Sequence, residues 1–169
     1  MELEDLGRRL LAVSELHGDF VLSSGRRSTV YFDKFRFLAD PALLREVAAA
    51  VVGLLPESIT HLAAPEGAAT LLLAAVSLDA GLPAAVVRKE PKGYGTMSLV
   101  EGYAPSGARV ALIEDVGTTG GQVLKAARAL EAGGAEVAIV VLALDRGGAD
   151  AIGEAGYEVA SVVSLRPTE

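Results

Sequence analysis

Two adjacent carboxylates, Glu114 and Asp115, run straight into Val116-Gly117-Thr118-Thr119-Gly120-Gly121-Gln122, and no other stretch of this sequence gathers so much chemistry in so few residues. The glycines allow a tight turn. Together with Thr118 and Thr119 they offer backbone N–H groups and hydroxyls as a seat for a phosphate, ahead of a helix expected from about Gln122. Carboxylates repel that anion, so Glu114 and Asp115 must serve something beside it, either ribose hydroxyls or a magnesium ion. The string therefore reads as a site for a phosphorylated sugar. An ordinary helix start in a doubly wound protein would explain a bare glycine pair equally well. The full string is more specific: it lacks the lysine of a P-loop and the spacing of a dinucleotide fingerprint.

A second segment supplies the positive charge such a ligand needs. Arg88-Lys89-Glu90-Pro91-Lys92 carries three cations in five residues and leads into Gly93-Tyr94-Gly95-Thr96. A solvated surface turn is the plain alternative. Its place in the chain favours function, because it follows one apolar strand and precedes the phosphate-site strand, so both loops can open at one sheet edge. A basic loop there can close over a diphosphate, neutralise it as a leaving group and exclude water.

Positioning these groups calls for alternating strands and helices. Val110 to Ile113 is a continuous apolar run, as a fully buried parallel strand requires, and the strand is expected over 108–114 with the acidic pair emerging at its carboxyl end. Leu3, Leu6, Leu10 and Val13 recur on one face of a helix over 2–16, which puts His17 at a helix end. Strands are expected at 20–22 and 30–32 around a Ser-Gly turn. Asp40 and Pro41 cap a helix to about residue 55, a strand starts at His61, and a helix over 67–79 stops at Gly81. Strand 83–87, helix 121–132, strand 135–144, helix 147–155 and strand 157–163 complete an α/β fold with right-handed crossovers.

Composition narrows the classes. The chain has 169 residues and 51% hydrophobic content, enough for one domain spanning 1–169, and no internal repeat or linker interrupts it. A net charge of −7 argues against a nucleic-acid role, and the absence of cysteine excludes disulfides, thiolate metal sites and a cysteine nucleophile. No apolar run is long enough for a membrane span and no basic, apolar leader opens the sequence, so a cytoplasmic protein is expected. The two histidines, His17 and His61, are expected to be structural.

The acidic strand end and Thr-Thr-Gly loop resemble the phosphoribosyl diphosphate motif of the type I phosphoribosyltransferases. Phe20-Val21-Leu22-Ser23-Ser24-Gly25-Arg26-Arg27-Ser28, followed by Tyr31-Phe32-Asp33, is similar to the opening hairpin of orotate phosphoribosyltransferases within that family. Arg88-Lys89-x-x-Lys92 resembles their catalytic loop, and Leu144-Asp145-Arg146 matches the place of an arginine for the orotate carboxylate. The resemblance implies a mostly parallel sheet flanked by helices, with a small N-terminal hood over about residues 1–36. It implies transfer of phosphoribosyl from 5-phosphoribosyl 1-diphosphate to orotate, magnesium as cofactor and a homodimer.

Site roles follow from the same resemblance. Lys89 and Lys92 stabilise the leaving diphosphate with Arg88 and Tyr94 beside them, and Glu114 and Asp115 steady a cationic ribose. Val116 to Gln122 holds the 5-phosphate. Ser24, Gly25 and one wall of Tyr31 or Phe32 form the base pocket with Arg146, since adjacent strand residues point to opposite faces. Magnesium is expected mainly on substrate oxygens, with Glu114 or Asp115 reached through water. Three residues depart from the pattern: Ser23 stands where a lysine is common, Tyr94 where a histidine is often found, and Glu66 in a turn that usually faces diphosphate. Glu66 is expected to point away or to reach magnesium through water. A phosphoribosyltransferase for another nucleobase, or a non-catalytic sensor of phosphoribosyl diphosphate, are the competing functions.

Overall fold

The computed structural model describes residues 3–22, 25–93 and 98–165. In chain order the elements are α1 (Leu3–Ser14), β1 (Glu15–Val21), β2 (Arg27–Phe32), α2 (Lys34–Ala39), α3 (Pro41–Val52), β3 (His61–Pro65) and α4 (Ala69–Ala80). They continue with β4 (Ala84–Val87), β5 (Val100–Gly102), β6 (Arg109–Gly117), α5 (Gly121–Ala132), β7 (Glu136–Asp145), α6 (Gly148–Glu154) and β8 (Val159–Ser164). Strands β1 and β2 form an antiparallel pair of their own, and the other six make one sheet in the order β5-β4-β3-β6-β7-β8. Only β5 runs antiparallel in that sheet.

Alternation along the central strands explains why both faces are covered. Ala111 and Ile113 of β6, with Val141 of β7, join an apolar cluster with Leu6 and Leu10 of α1, Val47 of α3 and Leu72 of α4. Val110 and Leu112, with Val140 and Leu142, face the other way against Val123 and Leu130 of α5 and Ile152 of α6. Successive side chains on a strand point to opposite faces, so an uninterrupted apolar run is what a sheet between two helical layers needs.

Several local expectations hold in detail. Asp40 Oδ1 accepts the N–H groups of Ala42 and Leu43 at 2.9 and 3.1 Å, with Pro41 opening α3. Gly81 ends α4 with φ +66, a conformation costly for other residues. Others are corrected. Helix α1 stops at Ser14 because Glu15 and Leu16 pair with Phe32 and Tyr31, so His17 lies in β1, 3.0 Å from Glu15, and not at a helix end. Leu3 is also half-exposed, unlike the rest of its face. The expected helix to residue 55 ends at Val52, the short α2 stands between β2 and α3, and β5 adds an edge strand that periodicity did not announce.

Candidate active site

Strand β6 extends to Gly117, beyond the expected end at residue 114, because β7 continues to pair with it through Val116↔Leu144 and Gly117↔Asp145. The acidic pair therefore lies within the strand. Glu114 is 8% exposed and Asp115 fully buried, so they do not simply emerge from its end. Glu114 Oε1 accepts the Asp115 N–H at 3.1 Å, and Asp115 Oδ1 accepts the Val116 N–H at 2.8 Å. Lys34 Nζ closes on the same carboxylate, 3.2 Å from Oδ1 and 3.1 Å from Oδ2. Burial, together with the Asp115 carboxyl beside it, pushes the Glu114 pKa up to about 8, while Lys34 acts to lower it. The site thus favours a proton on Glu114 at neutral pH.

The turn after β6 is built for close approach. Thr118 and Thr119 are exposed, and α5 starts at Gly121 behind Gly120, whose φ is +74. The N-cap Gly120 has no side chain to cap α5, and the Gly121 N–H makes only a long 3.4 Å bond to Thr119 Oγ1, so the first turn can present its amides to an anion. Two glycines bring the next loop against this one. A Cβ on Gly117 would lie 2.7 Å from Leu142 Cδ1, and one on Gly148 would lie 2.8 Å from the Gly117 carbonyl carbon. Arg146 is held in that contact, its N–H donating to the Gly117 carbonyl at 2.8 Å. Asp145, only 1% exposed, braces the turn by accepting the N–H groups of Gly147 and Ala149 at 2.9 and 3.1 Å.

The hairpin meets this edge through one aromatic. The Arg146 guanidinium carbon sits 4.9 Å from the centre of the Phe32 ring. Tyr31 points elsewhere and stacks on Phe20 at 5.5 Å. Gly25 turns the hairpin with φ +79, while Ser24 and Tyr94 lie outside the described residues.

Arg88 and Lys89 line a cleft of about 170 Å³ with Pro65, Val87, Gln122 and Lys125, so the basic segment and the start of α5 do meet. Glu66 is part-exposed and turned to the basic segment. Its Oε1 accepts the Lys89 N–H at 2.7 Å and its Oε2 lies 4.0 Å from Arg88, so the carboxylate ties the turn after β3 to the basic loop. Lys92 pairs with Glu101 of β5 at 2.7 Å. His61 bonds Thr60 at 2.8 Å beside the Tyr103 ring, away from these groups. Sequence reasoning passed over Lys34 and Lys125. Lys34 had one local signal, its place directly after the Tyr31-Phe32-Asp33 string.

The phosphoribosyl transferase domain family matches residues 36–163. The chain belongs to that family. Its sequence is 48% identical over 155 residues to the orotate phosphoribosyltransferase of Nocardioides sp., an alignment covering 90% of this chain and 87% of that protein. The crystal structure of orotate phosphoribosyltransferase from Aeropyrum pernix superposes with a TM-score of 0.79 at 32% identity, covering 98% of this chain and 94% of that one. The Mycobacterium tuberculosis orotate phosphoribosyltransferase in complex with 5-phospho-α-D-ribosyl 1-diphosphate does so with a TM-score of 0.78 at 27% identity, covering 98% and 97%. The observed mostly parallel sheet flanked by helices is thus the fold of this family.

Among the described residues no three His, Asp or Glu side chains gather as a metal cage. The buried Asp115 Oδ2 is ion-paired to Lys34 but accepts no hydrogen bond of good geometry, and a hard carboxylate oxygen of that kind suits magnesium reached through water.

Proposed function

We infer that this protein transfers the phosphoribosyl group of 5-phosphoribosyl 1-diphosphate to orotate, giving orotidine 5′-monophosphate and diphosphate in pyrimidine synthesis. The observation that carries the reading is Arg146, stacked on Phe32 and bonded to the loop that follows the acidic pair. A guanidinium there offers a planar, two-pronged partner for the orotate carboxylate within reach of a ribose held at Asp115.

The reaction breaks the bond between the anomeric carbon and diphosphate, whose oxygen keeps the electron pair, and forms a bond from a ring nitrogen of orotate to the opposite face of that carbon. Orotate enters as its anion, so no general base is needed. Positioning and electrostatics supply the rate. The amides and hydroxyls of residues 117–121 hold the 5-phosphate, with Gln122 and Val116 flanking them. Asp115 accepts ribose hydroxyls and steadies the positive charge that develops when cleavage runs ahead of attack, and Glu114 supports it. Arg88, Lys89 and Lys92 take the diphosphate. That step requires Lys92 to leave Glu101 and Lys89 to turn toward the cleft it already lines. Ser24, Gly25 and Tyr94 complete the pocket and lid in this proposal. Magnesium would supply positive charge to the diphosphate and ribose oxygens, and Asp115 or Glu114 would hold it through water.

The proposal includes one domain over 1–169 in which residues 1–36 form the hood. It also includes a homodimer, for which the exposed Leu71 and Leu78 of α4 provide apolar surface. No helix among the described residues is long and apolar enough to cross a membrane, and a cytoplasmic setting accords with that.

The test follows orotate absorbance on mixing protein, orotate, phosphoribosyl diphosphate and magnesium, with uracil, adenine and hypoxanthine in parallel. Turnover of orotate alone, abolished by chelating the metal, is expected. Turnover only of another base would overturn the reading, and binding of phosphoribosyl diphosphate without any turnover would make the chain a sensor.

A further inference from the structure

The carboxylate assigned to the ribose is already engaged by groups of the fold itself. Asp115 is fully buried, and Lys34 is the one side-chain cation on it among the described residues. Two donors fix its orientation: the Val116 N–H at 2.8 Å and Lys34 Nζ at 3.2 Å both reach Oδ1. Oδ2 is 3.1 Å from the same ammonium but accepts no hydrogen bond of good geometry, so the ion pair is what holds it and its acceptor capacity is unused. A carboxylate oxygen in that state keeps lone-pair capacity for a further donor such as a hydroxyl.

The origin of the cation is informative. Lys34 opens α2, two residues after the Phe32 whose ring carries Arg146. It also precedes residues 36–163, the part of the chain that matches the family. The lysine reaches across 81 positions to β6 with its own side chain 40% exposed, so it approaches Asp115 from the open side of the site. Without it, the buried carboxylate would stand beside Glu114 with no side-chain cation bonded to it among the described residues, an arrangement strongly disfavoured in a protein interior.

We propose that Lys34 is a positioning residue for phosphoribosyl diphosphate, holding the Asp115 carboxylate so that Oδ2 accepts a ribose hydroxyl. By the same contact it ties the N-terminal segment that carries the base wall to the strand that carries the sugar. This inference rests on the phosphoribosyl-transfer reading above.

The test measures equilibrium binding of phosphoribosyl diphosphate with magnesium, without any base, to the wild type, Lys34→Met, Lys34→Arg, Asp115→Asn and the Lys34→Met/Asp115→Asn double variant. Loss of a charge-assisted contact should weaken binding by Lys34→Met about 10–100-fold, and Lys34→Arg should stay within roughly threefold of wild type. Adding Lys34→Met to the Asp115→Asn background should cost no more than about twofold further, because the lysine acts through the aspartate. In steady state the KM for phosphoribosyl diphosphate should rise in Lys34→Met while that for orotate moves by less than about threefold. Binding by Lys34→Met within threefold of wild type would overturn the proposal. So would a full additional loss in the Asp115→Asn background, which would mean that the lysine touches the ligand itself. Should Lys34→Met not fold, the double variant against Asp115→Asn decides, since removing both charges leaves no unpaired ion. Wild-type turnover separates the two claims: binding without orotate turnover would sink the transferase reading while the variant ratios still judged Lys34, and no wild-type binding would sink both.

Discussion

Replacing Asp145 by alanine should both destabilise the protein and blunt its recognition of the base. The buried carboxylate accepts two backbone N–H groups, from Gly147 at 2.9 Å and Ala149 at 3.1 Å, and Ser164 Oγ lies 3.5 Å from its second oxygen. Each hydrogen bond to a charged acceptor contributes about 1.5–3 kcal/mol. Losing both should cost about 3 kcal/mol at the lower bound, which for a chain of this size lowers Tm by roughly 6–12 °C. Asp145→Asn keeps one oxygen for the same amides without the charge, so about half that loss is expected. Arg146 sits between Asp145 and Gly147, so loosening this turn should raise the orotate KM at least about tenfold, the effect of misplacing one charged contact. The KM for phosphoribosyl diphosphate should change by less than threefold. Thermal unfolding and two steady-state titrations check this. A Tm within about 2 °C of wild type for Asp145→Ala, or a larger loss for Asp145→Asn than for Asp145→Ala, would refute the reasoning.

Arg146→Lys keeps the charge but loses the fork and the stacking on Phe32 at 4.9 Å, so the orotate KM should rise about tenfold or more at little cost in Tm. Gly117→Ala drives a Cβ to 2.7 Å from Leu142 Cδ1, and overpacking of about 1–3 kcal/mol should lower Tm by roughly 2–12 °C, read by calorimetry. Glu114 keeps its proton up to about pH 8 when folded and gives it up near its ordinary value of 4.5 when unfolded. The folded state therefore binds the extra proton between those values, and stability falls as pH rises through them. Urea unfolding of the ligand-free protein should show that decline levelling off above pH 8, and Glu114→Gln should flatten it.

Much of the fold was legible because its signals are local. Val110 to Ile113 announced a strand buried on both faces, and Asp40-Pro41 and Gly81 marked helix ends through caps that depend on neighbouring residues alone. What was missed depends on partners distant in sequence. The three residues of β5 are a strand only because β4 lies beside them, and α1 yields at Glu15 because Phe32 pairs there. The reach of β6 to Gly117 was set by β7, which is why the acidic pair lies inside the strand. At the site, Arg146 and Phe32 were both expected and are brought together. Tyr31 turned to Phe20, and Lys34 stayed hidden because nothing near it in sequence signals an aspartate 81 positions away. Glu66 departs from the family pattern in sequence, but its partner, the Lys89 amide, comes to it only through the pairing of β3 with β4.

The most direct measurement is a crystal structure of the protein bound to orotidine 5′-monophosphate. The phosphate should lie on the amides and hydroxyls of residues 117–121, a ribose hydroxyl on Asp115 and the base carboxylate on Arg146 with the ring beside Phe32. A nucleotide whose carboxylate lies away from Arg146, or whose phosphate sits off the Thr118-Thr119 turn, would contradict it.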